Sequence, residues 1–400
     1  MRKIKNVLFT GFCLLTCTIL ITSCKEKTTS EQTDQLNPIE ILDTIADRLY
    51  GAVQSESSPR LPRSVEEGKV RYTSPEGWTS GFFPGMLWMM ESYDTSRDWS
   101  KHAALYTEEL EKVQFLTSHH DLGFMLFNSY GRGYVSTQSA SYKQVLVNGA
   151  NSLAFRYDSM VGMIKSWDRP GIWQYPVIID NMMNLEYLFW ATKATGDSSY
   201  YDMAVSHAAQ TLRDHYRDDM SCYHVVDYDT LNGEPIWKGT HQGLADESVW
   251  ARGQAWGLYG FTMAYRETGD LIFLEQAKKI AAFLLNHEQM PADKVPYWDF
   301  SDPEIPDSPR DVSAAAIIAS GLIELSTYVP AESTTYQEYA KEILLNLSEN
   351  YRYKASASQN FFYLDQSVGN KPKDKEVSIP IIYADYYFIE ALLRLKQLEV

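Results

Sequence analysis

Asp180 ends the approach Pro176-Val177-Ile178-Ile179, and Met182, Met183 and Leu185 follow closely. A carboxylate in such company gives up water, so its charged form is costly and its pKa rises. Two uses justify that cost: capping a helix, or holding a proton for chemistry near neutral pH. The capping box is incomplete, because the third residue onward is Met183 rather than Glu or Gln. A second aspartate, Asp121, follows His119 and His120. Two carboxyl groups in one pocket can divide acid and base duties if their surroundings separate their pKa values. Arg252 stands four residues before Trp256 and two after Trp250. It suits either a stacked structural arginine or a partner for an anionic substrate group. His119-His120-Asp121 carries no metal signature, since neighbouring side chains on a helix diverge by about 100°. A serine nucleophile elbow, a P-loop and a dinucleotide fingerprint are all missing. The reading therefore includes neither metal nor cofactor.

These residues fall in five polar or aromatic stretches, 76–88, 118–125, 165–184, 223–243 and 248–260, each between helical runs or at the start of one. Apolar residues recur at three-to-four spacing along segments such as "IEILDTIADRLYGAV", "FLEQAKKIAAFLLNHE" and "YFIEALLRLKQLEV". About eleven helices are predicted in this way. A weak internal repeat pairs them: an aromatic helix, Thr-Gly-Asp, then a second helix, once at Gly196-Asp197 and again at Gly269-Asp270. The glycines suit left-handed helix stops and the aspartates the next N-caps. Helical hairpins bury their faces only by stacking or by closing into a ring. The expected fold is all-α, an (α/α)6 barrel, with short strands at "CYHVVDYD" and "NFFYLDQS". In such a ring the five stretches gather at one end. No Pro- or Gly-rich break divides residues 39–400, so they are read as a single domain.

Residues 1–23 read as a lipoprotein signal peptide: Arg2, Lys3 and Lys5 precede a short apolar run that ends Ile21-Thr22-Ser23-Cys24. Cys24 would carry the lipid, and residues 24–38 would form a polar tether. The mature chain is expected as an exported bacterial lipoprotein, anchored to a membrane on the periplasmic side or at the cell surface. Loss of the three leader cations, with no acid lost, moves the formal net charge from −16 to −19, which argues against nucleic acid or anionic lipid as a general partner. Cys222 would be the only cysteine left beyond Cys24, so no disulfide framework is available. The oligomeric state is open.

The ordered motifs "WTSGFFPG", "HHDLGFM", "DNMMNLEYLFWA", "HQG", "WARGQAWGLYG", "DVSAAAI" and "IIYADYYFIEALLR" resemble the unsaturated glucuronyl hydrolases of glycoside hydrolase family 88. The resemblance runs from about Trp78 to the C-terminus. It implies an (α/α)6 barrel acting on oligosaccharides left by polysaccharide lyases, which carry a 4,5-unsaturated uronate at the non-reducing end. Protonation of the vinyl ether at C4, water addition at C5 and collapse of the hemiketal would release the aglycone. By motif position, Asp180 resembles the general acid/base and Asp121 the second essential aspartate. His120, His224, Gln242 and Arg252 resemble the substrate-binding set, with Arg252 on the uronate carboxylate. Trp78, Trp167 and Trp256 would be stacking walls, with Trp173 competing for the place of Trp167. The stretch "DQSVGNKPKDKEVS" would place Ser367, Asn370 and Lys371 on a loop over the pocket, a region the family uses to distinguish sulfated substrates. The alternatives are the related unsaturated rhamnogalacturonyl hydrolases of family 105 and a catalytically inactive glycan-binding lipoprotein. A toroidal sugar epimerase would need paired histidine bases with no clear equivalent here.

Overall fold

Helix α8 (Ala251–Thr268) is buried at every position from Ala251 to Ala264. A helix buried on all sides needs neighbours on all sides. In the computed structural model, which describes residues 36–354 and 361–398, those neighbours form a ring. Its inner wall is made by α2 (Phe82–Tyr93), a π-helix (Gly123–Gly131) continued by α4 (Arg132–Thr137), α6 (Leu185–Thr195), α8, α10 (Val312–Ser326) and α12 (Ile382–Leu398). Each packs on the next, and α12 closes back onto α2. The outer wall is α1 (Pro38–Ser55), α3 (Trp99–Glu108), α5 (Ala140–Ala154), α7 (Ser199–Asp214), α9 (Leu271–Asn286) and α11 (Ser333–Asn350). These outer helices bury one stripe only, as α7 does through Ala204, His207, Ala208 and Thr211. Six inner and six outer helices make the (α/α)6 barrel.

The two Thr-Gly-Asp turns behave as their residues require. Gly196 and Gly269 end α6 and α8 at φ of 80° and 71°. Asp270 caps α9 by accepting from Ile272 N at 3.0 Å. Asp197 sits one residue before its cap position and accepts from Ser199 N at 2.9 Å. Strands are short. β1 (Leu61–Glu66) pairs with β2 (Lys69–Thr73), a hairpin that the sequence pattern did not reveal. β3 (Tyr157–Asp158) pairs with β4 (Met163–Ile164). β6 (Val225–Tyr228), expected from "CYHVVDYD", lies between β5 (Pro176–Ile178) and β7 (Pro235–Gly239). The strand expected within "NFFYLDQS" begins only at its last residue, as β8 (Ser367–Asn370), which pairs with β9 (Lys375–Ile379).

The end of the expected tether, residues 36–38, already belongs to the fold: Leu36 packs on the core. Pro38 already opens α1, capped by Asn37, whose side chain accepts from Glu40 N at 3.2 Å. The leader, Cys24 and most of the tether lie outside the described residues. Among the described residues, no helix is long and apolar enough to cross a membrane.

Inner helices meet so closely that some positions hold only glycine. A Cβ on Gly85 would stand 2.5 Å from the carbonyl oxygen of Asn128 and 2.7 Å from the Tyr386 ring. The carbonyl is backbone and cannot turn aside. Gly85→Ala is therefore expected to destabilise the protein by about 1–3 kcal/mol, measured by urea denaturation, whereas Gly51→Ala, with open space around it, should not.

Candidate active site

Every inner helix starts at the same end of the ring, and the chemistry-bearing residues collect there. Asp121 lies just before the π-helix, and Asp180 lies in a 3₁₀ turn (Ile179–Asn184) that leads into α6. Arg252 and Trp256 occupy the first turns of α8. The β5–β6 pairing runs on to Ile179, whose N–H donates to the His224 carbonyl at 3.0 Å, and this brings His224 beside Asp180. Asp180 makes no side-chain cap in that turn, so the capping reading is excluded. The two aspartate segments are joined by Asn184, whose Oδ1 accepts from Gly123 N at 2.8 Å and Phe124 N at 3.3 Å. Gly123 permits this approach, since a Cβ there would stand 2.6 Å from that oxygen.

Asp121 and Asp180 are only 7% and 8% exposed. Burial pushes the Asp180 carboxyl up to about 7, Arg252 opposes that shift, and the nearby charge of Asp121 adds to it. Burial likewise raises Asp121 to about 7, with Asn184 and Arg156 opposing. The two acids titrate as a coupled pair, so near neutrality the site holds a proton without being fully discharged.

Around them stand polar atoms that no protein group satisfies. His224 Nδ1 accepts from the backbone N–H groups of His241 and Gln242, each at 3.1 Å. Its Nε2 therefore carries the hydrogen, and that atom lies unpartnered 3.6 Å from the likewise unpartnered Asp180 Oδ2. Burial keeps His224 neutral, with its pKa well below the usual imidazole value. His120 is wholly buried and also held neutral by burial, and neither ring nitrogen makes a hydrogen bond. Its Nε2 lies 3.3 Å from Asp121 Oδ1. Buried orphans of this kind are expensive unless a ligand completes them.

The three expected tryptophan walls separate into different roles. Trp78 is half-buried, tilted on Tyr383 at 5.0 Å. Trp167 stands edge-on to His120 at 6.5 Å and His224 at 6.0 Å. Trp173 lies one ring farther out, against Trp167 at 5.5 Å and Trp237 at 6.0 Å. Trp256 is fully buried and is no stacking wall. It is floor, packed on Phe124 at 5.3 Å, with its N–H near Asp180 and unaccepted.

Arg252 corrects the sequence expectation. Its guanidinium pairs with Asp311 Oδ2 at 2.9 Å, and it donates to the carbonyls of Val368 and, at 2.7 Å, Gly369. Asp311 also caps α10 through Ser313 N and accepts from Val368 N at 3.3 Å. Gln242 Nε2 donates to the same Gly369 carbonyl at 3.0 Å. Arg252 and Gln242 thus hold the β8 backbone in place rather than offering free donors to a ligand. That latch presents Ser367, buried with an unpartnered hydroxyl, and Asn370, with an unpartnered Oδ1. Lys371 is half-buried, and its charge acts on Asp302. Lys373, two residues on, reaches His241, with its Nζ 2.8 Å from His241 Nε2. Arg169 reaches the same nitrogen at 3.2 Å and covers Trp167 at 4.8 Å. Neither cation has a carboxylate partner in the described residues.

Two buried acids, each raised to about 7, thus stand together in an aromatic pocket. Residues 56–396 match Glycosyl Hydrolase Family 88. The chain belongs to this family. It is 41% identical to an unsaturated glucuronyl hydrolase of Formosa agariphila, over 96% of this chain and 97% of that one. A Bacillus sp. GL1 enzyme of the same description is 35% identical over 84% and 91%. The crystal structure of an unsaturated glucuronyl hydrolase specific for heparin superposes with a TM-score of 0.88 at 45% identity, covering 90% of this chain and 97% of that chain. A mutant of the Streptococcus agalactiae enzyme complexed with dGlcA-GalNAc6S superposes at 0.75, with 28% identity over 90% and 92%.

For this family 88 chain, sequence reasoning missed Asn184, Arg169, His241 and Lys373. Asn184 stood in the quoted "DNMMNL" motif, and a paired amide beside a carboxylate was the available signal. The helical argument against a cluster at His119-His120-Asp121 does not apply, because residues 118–120 are not helical. Their ligand atoms lie within 4.8 Å of one another, a spacing that could hold a metal ion.

The raised pKa fixes a stability signature. Asp180 titrates higher in the folded protein than its ordinary 3.8, so the cost of its charge appears between about pH 4 and pH 7 and is complete above that. Asp180→Asn is expected to be more stable than the parent by on the order of 1–3 kcal/mol near pH 8. The gain should vanish near pH 4, as read from denaturation midpoints across pH.

Proposed function

We propose that the chain removes the 4,5-unsaturated uronate from the non-reducing end of glycosaminoglycan oligosaccharides produced by lyases. The observation that carries this is Asp180: a buried carboxyl poised near pH 7 and ringed by unpartnered donors. Protonating carbon needs an acid strong enough to give a proton yet still loaded at working pH. Asp180 delivers its proton to C4 as the double-bond electrons form the C4–H bond, leaving positive charge shared by C5 and the ring oxygen. Water then bonds to C5 and returns a proton to Asp180, so the acid is regenerated. The C5 hemiketal opens, and the hemiacetal at C1 expels the aglycone as an alcohol. Asp121, held by Asn184, raises the proton affinity of Asp180 and anchors sugar hydroxyls with His120. His224 Nε2–H steadies the Asp180 carboxylate formed after proton transfer.

Arg169 and Lys373 support a finer reading. Two cations sharing one neutral imidazole above Trp167 suit a sulfate on the sugar next to the uronate, which rhamnose-linked pectin fragments lack. A panel of sulfated and unsulfated unsaturated disaccharides, followed by loss of the conjugated uronate's ultraviolet absorbance, tests both levels. Turnover should be seen, with one deuterium at C4 in heavy water, and Asp180→Asn should abolish turnover while still binding substrate. Turnover by Asp180→Asn would sink the catalytic assignment. Arg169→Ala with Lys373→Ala should raise KM about tenfold for sulfated substrates only.

We also infer that the enzyme is an exported lipoprotein held by Cys24. The cationic start, the short apolar run and Ile21-Thr22-Ser23-Cys24 support that reading. Labelled palmitate should enter the expressed full chain and be absent from Cys24→Ser; equal labelling of both would refute it.

A further inference from the structure

Arg156 comes two residues after the end of α5 and is only 7% exposed, although Phe155 before it is 77% exposed. Burying a guanidinium is costly unless its donors are used. Here two of them hold backbone: Nη1 donates to the Thr117 carbonyl at 2.6 Å, and Nε to the Lys165 carbonyl at 2.8 Å. Lys165 N donates in return to the Arg156 carbonyl at 2.9 Å. Two stretches of the active site are joined in this way. Thr117 leads into His119, His120 and Asp121, and Lys165 leads into Trp167 and Arg169. The tie continues through Ser166, whose hydroxyl accepts from Ile178 N at 3.0 Å, and Ile178 ends the strand that leads to Asp180. Asn184 joins the two aspartate segments directly. Arg156 joins them a second time, through the Trp167 stretch.

An arginine fork reaches two carbonyls at a fixed spacing, which a lysine cannot do. The charge has a use as well. Among the described residues its carboxylate partner is Asp168, at 2.9 Å, which Lys165 shares at 3.1 Å. The Asp168 side chain is half-exposed, so water screens the pair and leaves the cation incompletely cancelled. Nη2 is buried with no acceptor, a donor that a purely structural arginine would be expected to spend. With Asn184, the charge of Arg156 opposes the rise that burial imposes on Asp121. It also adds to the burial that keeps His119 and His120 neutral. The other titratable groups around it are Lys165, Asp168 and Tyr175, whose hydroxyl donates to the Arg156 carbonyl at 2.7 Å.

We propose that Arg156 is a positioning residue for this reaction: its fork sets the His120–Asp121 stretch against the Trp167 stretch, and its charge steadies Asp121 when that carboxyl is ionised. This role rests on Asp121 and Asp180 being the acid pair assigned above. The full-length parent, Arg156→Met, Arg156→Lys and Asp168→Asn are compared by the pH dependence of kcat/KM on unsaturated disaccharides. Carboxyl-carbon NMR of labelled aspartate, without substrate, follows Asp121 whatever the substrate. Loss of the charge in Arg156→Met strengthens the hold of Asp121 on its proton, so its titration and the alkaline limb of the rate profile should both move up by about one pH unit. Asp168→Asn, at a half-exposed position, leaves Arg156 and Lys165 without their anion, so both readouts should move down, and by less because water screens that anion. Arg156→Lys keeps the charge but reaches one carbonyl, so KM should rise severalfold with the parent's pH profile. A purely structural arginine would lower the rate alike at every pH. An Asp121 titration unmoved in Asp168→Asn, or in folded Arg156→Met, would overturn the role, as would an Arg156→Lys shift equal to that of Arg156→Met. Titrations that move under an unmoved rate profile would support the effect of Arg156 on Asp121 and count against the acid pair instead.

Discussion

Removing two carboxyl groups from water is the constraint on which the rest of this molecule turns. Asp121 and Asp180 are desolvated by the ends of a helical ring, and each is driven up to about 7. Nothing in the immediate sequence achieves that alone. It takes the apolar approach of Val177, Ile178 and Ile179, the Trp256 floor beneath, and a neutral His224 beside the acid. A charged histidine there would pull Asp180 back toward the ordinary carboxylate range and empty it of its proton.

The barrel supplies the positions because its inner helices all begin at one end. Side chains far apart in sequence meet there with no long connecting element. The cost is close packing, visible at Gly85 and Gly123, where a single methyl group would meet backbone or Asn184. The loop over the pocket is held in the same manner. Arg252, Asp311 and Gln242 bind β8 through its backbone, so Ser367 and Asn370 are positioned without spending their own polar atoms. An arginine beside an acid thus does its work indirectly: it opposes the raised pKa of Asp180 while fixing the segment that faces the ligand.

The ring and the acid pair were legible because their signals are local. Helical spacing and the Gly196 and Gly269 stops read directly, and an aspartate behind three aliphatic residues is conspicuous. The partners of Arg252 were not legible, since the carbonyls it binds lie 116 and 117 residues away. Lys371 and Lys373 differ only in which way a 3₁₀ turn (Lys371–Lys373) aims them, and composition carries no such direction. Trp256 read as a wall because tryptophans stack on sugars, yet burial by Phe124 and Tyr387 made it floor. The π-helix had no local signature at all, and it is held at its start by Asn184 from another turn of chain.

The central claim is that burial loads the acid. Carboxyl-carbon NMR of protein carrying labelled aspartate measures it directly, with Asp180→Asn and Asp121→Asn assigning the resonances. Two coupled titrations near pH 7 are predicted, and removing either aspartate should lower the apparent pKa of the other. Titration of both groups near the ordinary aspartate value of about 4 would contradict the account.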